Sequence, residues 1–378
     1  MKPETTISKE IGAEVRLLDG RLTADVTYYD KYTRDQIVES ELSYLSNYQR
    51  VIINSGKISN KGWEISVSGV PVKVKNFEWK TIFNWSKNNS MVESLPEGID
   101  KIQIGSGVYN VKSYAEVGKP YGAIYAKTFK RDAEGYILCQ LDGSPKEGQD
   151  YEYLGCVQAD WRGGWNNVFR LGNFSFSVMF DFQKGGKFFS QTSIQSSVDG
   201  QSVKSLEGRD ADFFSRKILG ESDEERYGFM RPQNANTPTA NGQIYPDWGR
   251  PKGVVLPNCR YDEDVEGLAG QQVLGYCTPE RYWMHYTSRD ISRFIYDASY
   301  VKLREITVSY DLPKKWLRKT PFQTFRVAAV GRNIATLFAN TPHGLDPQAT
   351  STTGNAQGFE RGFNLPSATY GFDIKVSF

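Results

Sequence analysis

Oily and polar residues alternate one by one in several short stretches of this chain. In "TYGFDIKVSF", Tyr370, Phe372, Ile374, Val376 and Phe378 share one parity, and Gly371, Asp373, Lys375 and Ser377 share the other. Successive strand side chains point to opposite faces, so a period of two marks a strand with one apolar and one polar side. "FSFSVMFDF" repeats the pattern, setting Phe174, Phe176, Val178, Phe180 and Phe182 against Ser175, Ser177 and Asp181, with Met179 out of step. "GWEISVSGV" groups Trp63, Ile65 and Val67; "FEWKTIFNWS" groups Phe77, Trp79, Phe83 and Trp85. Near the start, strands at Glu10–Leu18 and Arg21–Lys31 flank Asp19-Gly20, a tight hairpin signal. A further strand is predicted at Gly164–Arg170. "SYVKLREITVSYDLP" slips parity near Arg304, as a β-bulge would make it do. "FQTFRVAAVGRNI" and the closing stretch bring the total to about nine strands.

The connections differ in length by turns. Short ones are predicted near 19–21, 71–76, 171–173 and 311–321; long ones at 32–60, 92–163, 184–297 and 338–367, with some helix in "LEGRDADFFSRKILG". Strict alternation of tight turns and long loops is the pattern of an outer-membrane barrel. It also gives the ring-bearing faces a solvent. A water-facing strand could not show Phe174, Phe176, Phe180 and Phe182 together without forming a sticky patch, whereas lipid accepts them. The competing solution is a soluble β-sandwich, a glycan-binding module that buries the same rings against a second sheet. The one-sided loops favour an all-β, transmembrane antiparallel barrel segment with long extracellular loops. Bacterial single-chain barrels have even strand numbers, so about nine strands call for a completing N-terminal portion.

Composition narrows the chemistry. The 378 residues are 13% aromatic, with mean hydropathy of -0.52 and a net charge of +2, a balance that points to no nucleic-acid partner. Two histidines make a histidine-based active site a poor expectation, and no run approaches the roughly 18–20 apolar residues of a membrane helix. No carboxylate pair stands out for glycoside hydrolysis, and "KGGK" at 184–187 lacks the spacing of a phosphate loop, so no enzyme is expected. His285 and His343 are isolated. The cysteines are Cys139, Cys156, Cys259 and Cys277; three pairings are open, of which Cys139 with Cys156 and Cys259 with Cys277 are the local ones. Asp262, Asp264 and Glu266 in "YDEDVEG" could bind calcium in a loop, without EF-hand spacing; a solvated acidic loop is the alternative.

Several stretches carry a family resemblance: "SKEIGAEVRLLDGRLTADVTYYDKYTRDQI", "NSGKISNKGWEISVSG", "VGKPYGAIYAKTFKRDAEG", "DWRGGWNNVFRLGNFSFSVMFDFQKG", "YVKLREITVSYDLPKKWL", "VGRNIATLF" and "GLDPQ". Together with the strand ending in Phe378, they resemble the C-terminal part of a SusC-like TonB-dependent transporter. The resemblance implies a barrel of twenty-two strands around a plug, of which residues 1–378 would be the later strands, without plug or TonB box. It implies a SusD-like lipoprotein lid, TonB acting through the missing segment, and oligosaccharide or peptide cargo. The place implied is the outer membrane of a Gram-negative, Bacteroidota-like bacterium. In the family the terminal aromatic is read by the barrel-assembly machinery, a role that falls by position on Phe378, helped by Tyr370, Phe372, Ile374 and Val376.

Cargo contacts would be non-covalent. Rings stack on sugar faces or peptide side chains, and amides and carboxylates direct hydrogen bonds. The candidates are Tyr109, Asn110 and Tyr114 in "VYNVKSY", Trp161 and Trp165 in "DWRGGWNN", and the Tyr282-Trp283 pair, with girdle or loop packing as the other reading of the tryptophans. The same "DWRGGWNN" also offers Asp160, Arg162, Asn166 and Asn167.

Overall fold

The computed structural model describes residues 2–41, 50–141, 143–206, 254–277, 281–342, 344–349, 357–362 and 367–378. The helix expected within "LEGRDADFFSRKILG", His343, Asp142 of a predicted turn and most of the 350–356 loop lie outside them. The first strands are β1 (Thr5–Leu17), β2 (Leu22–Glu41), β3 (Arg50–Val74) and β4 (Phe77–Ser94). Five short ones follow: β5 (Lys101–Ser106), β6 (Lys112–Glu116), β7 (Ala123–Ala126), β8 (Ile137–Cys139) and β9 (Glu152–Cys156). Next come β10 (Trp161–Leu171), β11 (Phe174–Lys184), β12 (Lys187–Ser190), helix α1 (Gln191–Val198), β13 (Val254–Tyr261) and β14 (Gln272–Cys277). The chain closes through β15 (Ile295–Asp297), β16 (Tyr300–Asp311), a helical turn α2 (Lys314–Leu317), β17 (Thr324–Ala339), β18 (Phe359–Glu360) and β19 (Thr369–Ser377).

Nine strands form one antiparallel sheet in the order β1-β2-β3-β4-β10-β11-β16-β17-β19. Every neighbour in it follows the last in sequence once the loop strands are set aside, so the sheet is an up-and-down meander. The register carries the oily parity across the whole width: Val15 faces Ala24, then Val67, Phe83, Trp165, Phe180, Leu303 and Ala335. One residue along each strand runs the polar row Glu14, Asp25, Ser66, Asn84, Gly164, Asp181, Lys302 and Thr336. A slip of one residue in any pair would break both rows. The predicted slip near Arg304 is a bulge, where the β16–β17 register shifts between Leu303 and Glu305.

The rings on the oily face are not buried against a second sheet. Ile11 is 73% exposed, Phe174 58% and Phe372 86%, so the sandwich alternative is not what forms among the described residues. They pack side by side along the face: Trp79 stacks on Phe169 at 5.8 Å, Phe83 on Phe182 at 5.9 Å and Trp165 on Phe180 at 5.9 Å. Gly163 makes this possible, because a Cβ there would lie 2.3 Å from the Phe182 ring.

Short connections gather at one end of the sheet, at 18–21, 75–76, 172–173 and 312–323, and long ones at the other. The boundaries differ from expectation in two places. Pro71 falls inside β3 rather than in a turn, because the β2 ladder ends at Gly69 and the β3–β4 register shifts between Gly69 and Val72; a missing N–H costs nothing at such a bulge. The segment 32–60, read as a loop, is ladder over 32–41 and 50–60. There the apolar residues stand side by side, as in Ile37-Val38 and Val51-Ile52-Ile53, so the period-two signal fades while the backbone pairing persists.

The long connections build a second layer of structure at their end of the sheet. Four strands pair as β5-β6-β7-β9, three as β14-β13-β8 and three as β15-β12-β18. Phe129, Ile137, Val254, Leu256, Tyr282, Trp283 and Tyr286 form one core; Val111, Ile124, Phe189, Ile194, Ile291, Phe294 and Phe359 form another. Ser190 caps α1 by accepting from Ser193 N at 3.1 Å.

Candidate functional site

The polar row of the sheet ends, on its loop side, in a cluster of ions. Asp181 of β11 accepts from the Nε of Arg304 on β16 at 3.1 Å. Lys302, 1% exposed at its side chain, donates to both oxygens of Asp346 at 2.5 and 2.6 Å and to Gln348 Oε1 at 2.9 Å. Gln348 also donates to the Tyr300 hydroxyl at 2.6 Å and accepts from Arg304 at 2.7 Å. A buried ammonium is tolerated only when its donors are filled, and here the loop of 344–348 folds back on the sheet to fill them. "GLDPQ" is thus a clasp between the last long connection and the wall. Alternation placed Lys302 and Asp181 on the polar face; nothing local shows that Asp346 meets Lys302.

Beside this clasp lies a cavity of about 420 Å³ between the β10, β11 and β16 ends, β12, residues 347–348 and residues 357–358. Arg162, Asp181, Gln183, Lys187, Tyr300 and Gln348 supply its polar lining. Arg162 comes from "DWRGGWNN" on the polar parity of β10, and its Nε donates to Gln183 Oε1 at 2.9 Å.

The tryptophans of that same motif go the other way. The β10–β11 register sets Trp165 opposite Phe180, and Trp161 packs edge-on to Phe182 at 6.1 Å, so both indoles lie on the ring-bearing face and not among the polar residues. Trp165 Nε1 donates to Thr81 Oγ1 at 2.9 Å, and Trp79 Nε1 to the buried Asn167 Oδ1 at 3.0 Å. Two indole N–H groups of the oily face thus find acceptors on that same face. Tyr282 and Trp283 are also corrected: they are 0% and 2% exposed, packed ring to ring at 5.1 Å inside a loop core, out of reach of any ligand.

Tyr109 and Asn110 form a turn between β5 and β6, both at positive φ. The Tyr109 hydroxyl donates to Gln195 Oε1 of α1 at 2.6 Å, and Asn110 is exposed. Tyr114 stands half-buried on β6, edge-on to Tyr125 at 5.2 Å, with the Lys101 ammonium 5.4 Å from its ring centre. Tyr125 and Tyr153 extend this patch, and Lys119 lies 4.5 Å from the Tyr153 ring centre. Much of the ring surface there is already paired with ammonium groups.

The acidic loop is neither open nor solvated at its centre. Asp262 is 2% exposed and accepts from Lys130 at 2.9 and 2.8 Å and from Lys146 at 2.7 Å. Burial alone would push this carboxyl up, but hydrogen bonds from Lys130, Lys146 and the Glu263 N–H outweigh it and hold it at about 2. Asp264 shares Lys146, and Glu266 is exposed. Two ammonium groups already stand where a calcium ion would sit against Asp262.

Neither local cysteine pairing is supported. Cys156 on β9 is a thiol that donates to Tyr121 O at 3.5 Å, and burial pushes its pKa up. Cys139 lies on another sheet, in the core that also holds Cys259 and Cys277. Cys259 pairs with Val273 and Cys277 with Val254, four positions apart on β14. That is roughly 13 Å along a strand, beyond the reach of a disulfide. On β19, Tyr370, Phe372, Ile374 and Val376 line the oily face, and the Phe378 ring meets Phe322 at 5.3 Å.

Relatives agree with this architecture. Over 98% of its length the chain is 24% identical to TonB-dependent receptor P3 of Formosa agariphila, of which it covers 33%. It is 27% identical over 101 residues to TonB-dependent receptor SusC of Bacteroides thetaiotaomicron, 26% of this chain and 10% of that protein. Among solved structures it resembles one chain of the RagAB peptide transporter, with a TM-score of 0.62 at 16% identity, covering 99% of this chain and 35% of that one. The chain therefore spans about a third of the length of the longest-matching relatives, all described as receptors or transporters and not as enzymes. Residues 1–193, just over half of the chain, match the model of the TonB dependent receptor-like β-barrel family, and to that family this chain belongs.

Proposed function

We propose that the nine-stranded sheet is the later part of the wall of an outer-membrane, TonB-dependent importer. The observation that carries this is the registry of two rows across eight of the nine strands, apolar residues on one face and mostly polar residues on the other. The ring side meets lipid and the ion side lines a water-filled passage. The short turns then lie in the periplasm and the long connections outside the cell. β1 and β19 each have one unpaired edge within the sheet, and lipid does not tolerate open backbone, so strands from the remaining two thirds of such a receptor complete a barrel of twenty-two. A plug and a TonB-contacting segment belong to that remainder. A SusD-like surface lipoprotein closes the outer end, where the loop cores form a broad platform. Cargo is an oligosaccharide or a peptide; the likeness to the RagAB peptide transporter speaks for the peptide. The oily stripe of β19, ending in Phe378, serves as the assembly signal.

Single cysteines introduced on a background without the native four test the orientation. An impermeant maleimide added to whole cells should label Asp199→Cys in a long connection, and Asp19→Cys only after the outer membrane is opened. Equal labelling of both, or release of the protein without detergent, would defeat the proposal.

A further inference from the structure

Charge accounting around the cavity beside the clasp leaves one ion over. Asp181 is taken by Arg304, Asp346 by Lys302, and Asp297 by Lys187 at 3.3 Å with help from Ser299 and Asn340. Among the described residues, the carboxylate that lines the cavity and those bonded to its lining lysine or to Lys302 each have a cation. Among the described residues Arg162 meets the neutral Gln183 amide, through one of its five N–H donors, and no carboxylate. Its guanidinium lines a half-enclosed polar space of about 420 Å³, within the range of small-ligand sites. Around it stand further groups suited to oxygen-rich ligands: the Gln183 and Gln348 amides and the Tyr300 hydroxyl. Arginine's planar fork fits a carboxylate through two parallel hydrogen bonds, and such charge-assisted bonds are the strong ones.

From this we infer that the cavity is a subsite for an anionic group on the cargo, a carboxylate gripped by Arg162. The inference rests on the reading that the polar face lines the passage. It adds a substrate class to that reading: cargo that bears a carboxylate, at the end of a peptide or on an acidic sugar. The matched pairs around Arg162 give the preference its sign. A second cation brought by the ligand would find no unpaired carboxylate among the described residues that line the cavity, whereas an anion would meet Arg162.

The test uses the intact receptor extracted from outer membranes in mild detergent, read by saturation-transfer NMR. The probes are glucuronate against glucose, and acetyl-Gly-Gly with a free C-terminus against its amide. Binding of either acid roughly tenfold or more above its neutral counterpart supports the inference, and which acid binds names the source of the carboxylate. Arg162→Gln should erase the preference, Arg162→Lys should keep part of it, and Arg332→Gln, whose partner is Glu305, should leave it intact. Equal binding of acid and neutral forms, or a preference that survives Arg162→Gln, overturns it. A heat-dependent gel shift on every sample separates the two readings. If the shift persists while the acid preference is absent, the subsite fails and the barrel stands; if the protein proves a detergent-free monomer, the barrel fails as well.

Discussion

The wall and the loop cores use the same side chains in opposite ways. On the wall, Trp63, Trp165 and Phe174 are 47%, 43% and 58% exposed; in the loop cores, Phe129, Phe189 and Trp283 are 2% exposed or less. A ring is stable wherever water is kept from it, by lipid in one case and by protein in the other. The loop region thus buries its rings within itself, whereas the sheet leaves them on an open face. The two halves should fail separately.

The largest effect is expected in the loop core. Trp283→Ala removes a fully buried ring and should cost about 3–5 kcal/mol locally. Limited proteolysis on cells should then cut within 254–294, while the heat-dependent gel shift of the barrel is unchanged. Loss of the barrel as well would show that wall and loops fold as one unit.

Next comes a pair of neighbours on one strand. Phe180→Arg places a charge on the ring-bearing face of β11 and should cost about 2–4 kcal/mol if that face lies near the middle of the bilayer. Met179→Arg, one residue away on the polar face, should leave the amount of folded protein in the outer membrane nearly unchanged. Equal damage from both would mean that the two faces do not meet different solvents.

Legibility followed the same division. β11 could be read because its alternate residues fall on a ring-bearing face and a polar face. The bulge in β16 could be read because it interrupts that alternation. The outer ends of β2 and β3 could not, since their apolar residues come in adjacent runs such as Ile37-Val38 and Val51-Ile52-Ile53, and neither could β5–β9, which are too short to show a period. α1 lies in a stretch of Ser and Gln with little periodicity to report it. The site was half legible. Parity puts Trp161, Trp165 and Phe169 together and Arg162 opposite them, so "DWRGGWNN" already divides into an oily and a polar half. The contacts of Lys302 with Asp346 and of Asp262 with Lys130 and Lys146 join residues 44, 132 and 116 positions apart, and only the folded loops bring them together.

The smallest effect concerns that last contact and is set by pH. Asp262 falls from its ordinary 3.8 to about 2 in the folded loop because two lysines and a backbone N–H favour its charged form over the penalty of burial. A carboxylate with a depressed folded pKa stabilises the fold fully above the unfolded value and loses that contribution as pH falls through the folded one. The loop core should therefore be unaffected by this group at neutral pH and above about 4, and should lose roughly 2 kcal/mol between pH 4 and 2. Asp262→Asn makes the loss permanent and removes the acid dependence, since it leaves Lys130 and Lys146 without that charge at every pH. Hydrogen exchange of β8 and β13, whose ladder Asp262 extends through its N–H to Cys139 O, reads the change directly. If acid loosens those strands as much in Asp262→Asn as in the native chain, the buried carboxylate is not what holds the two long connections together.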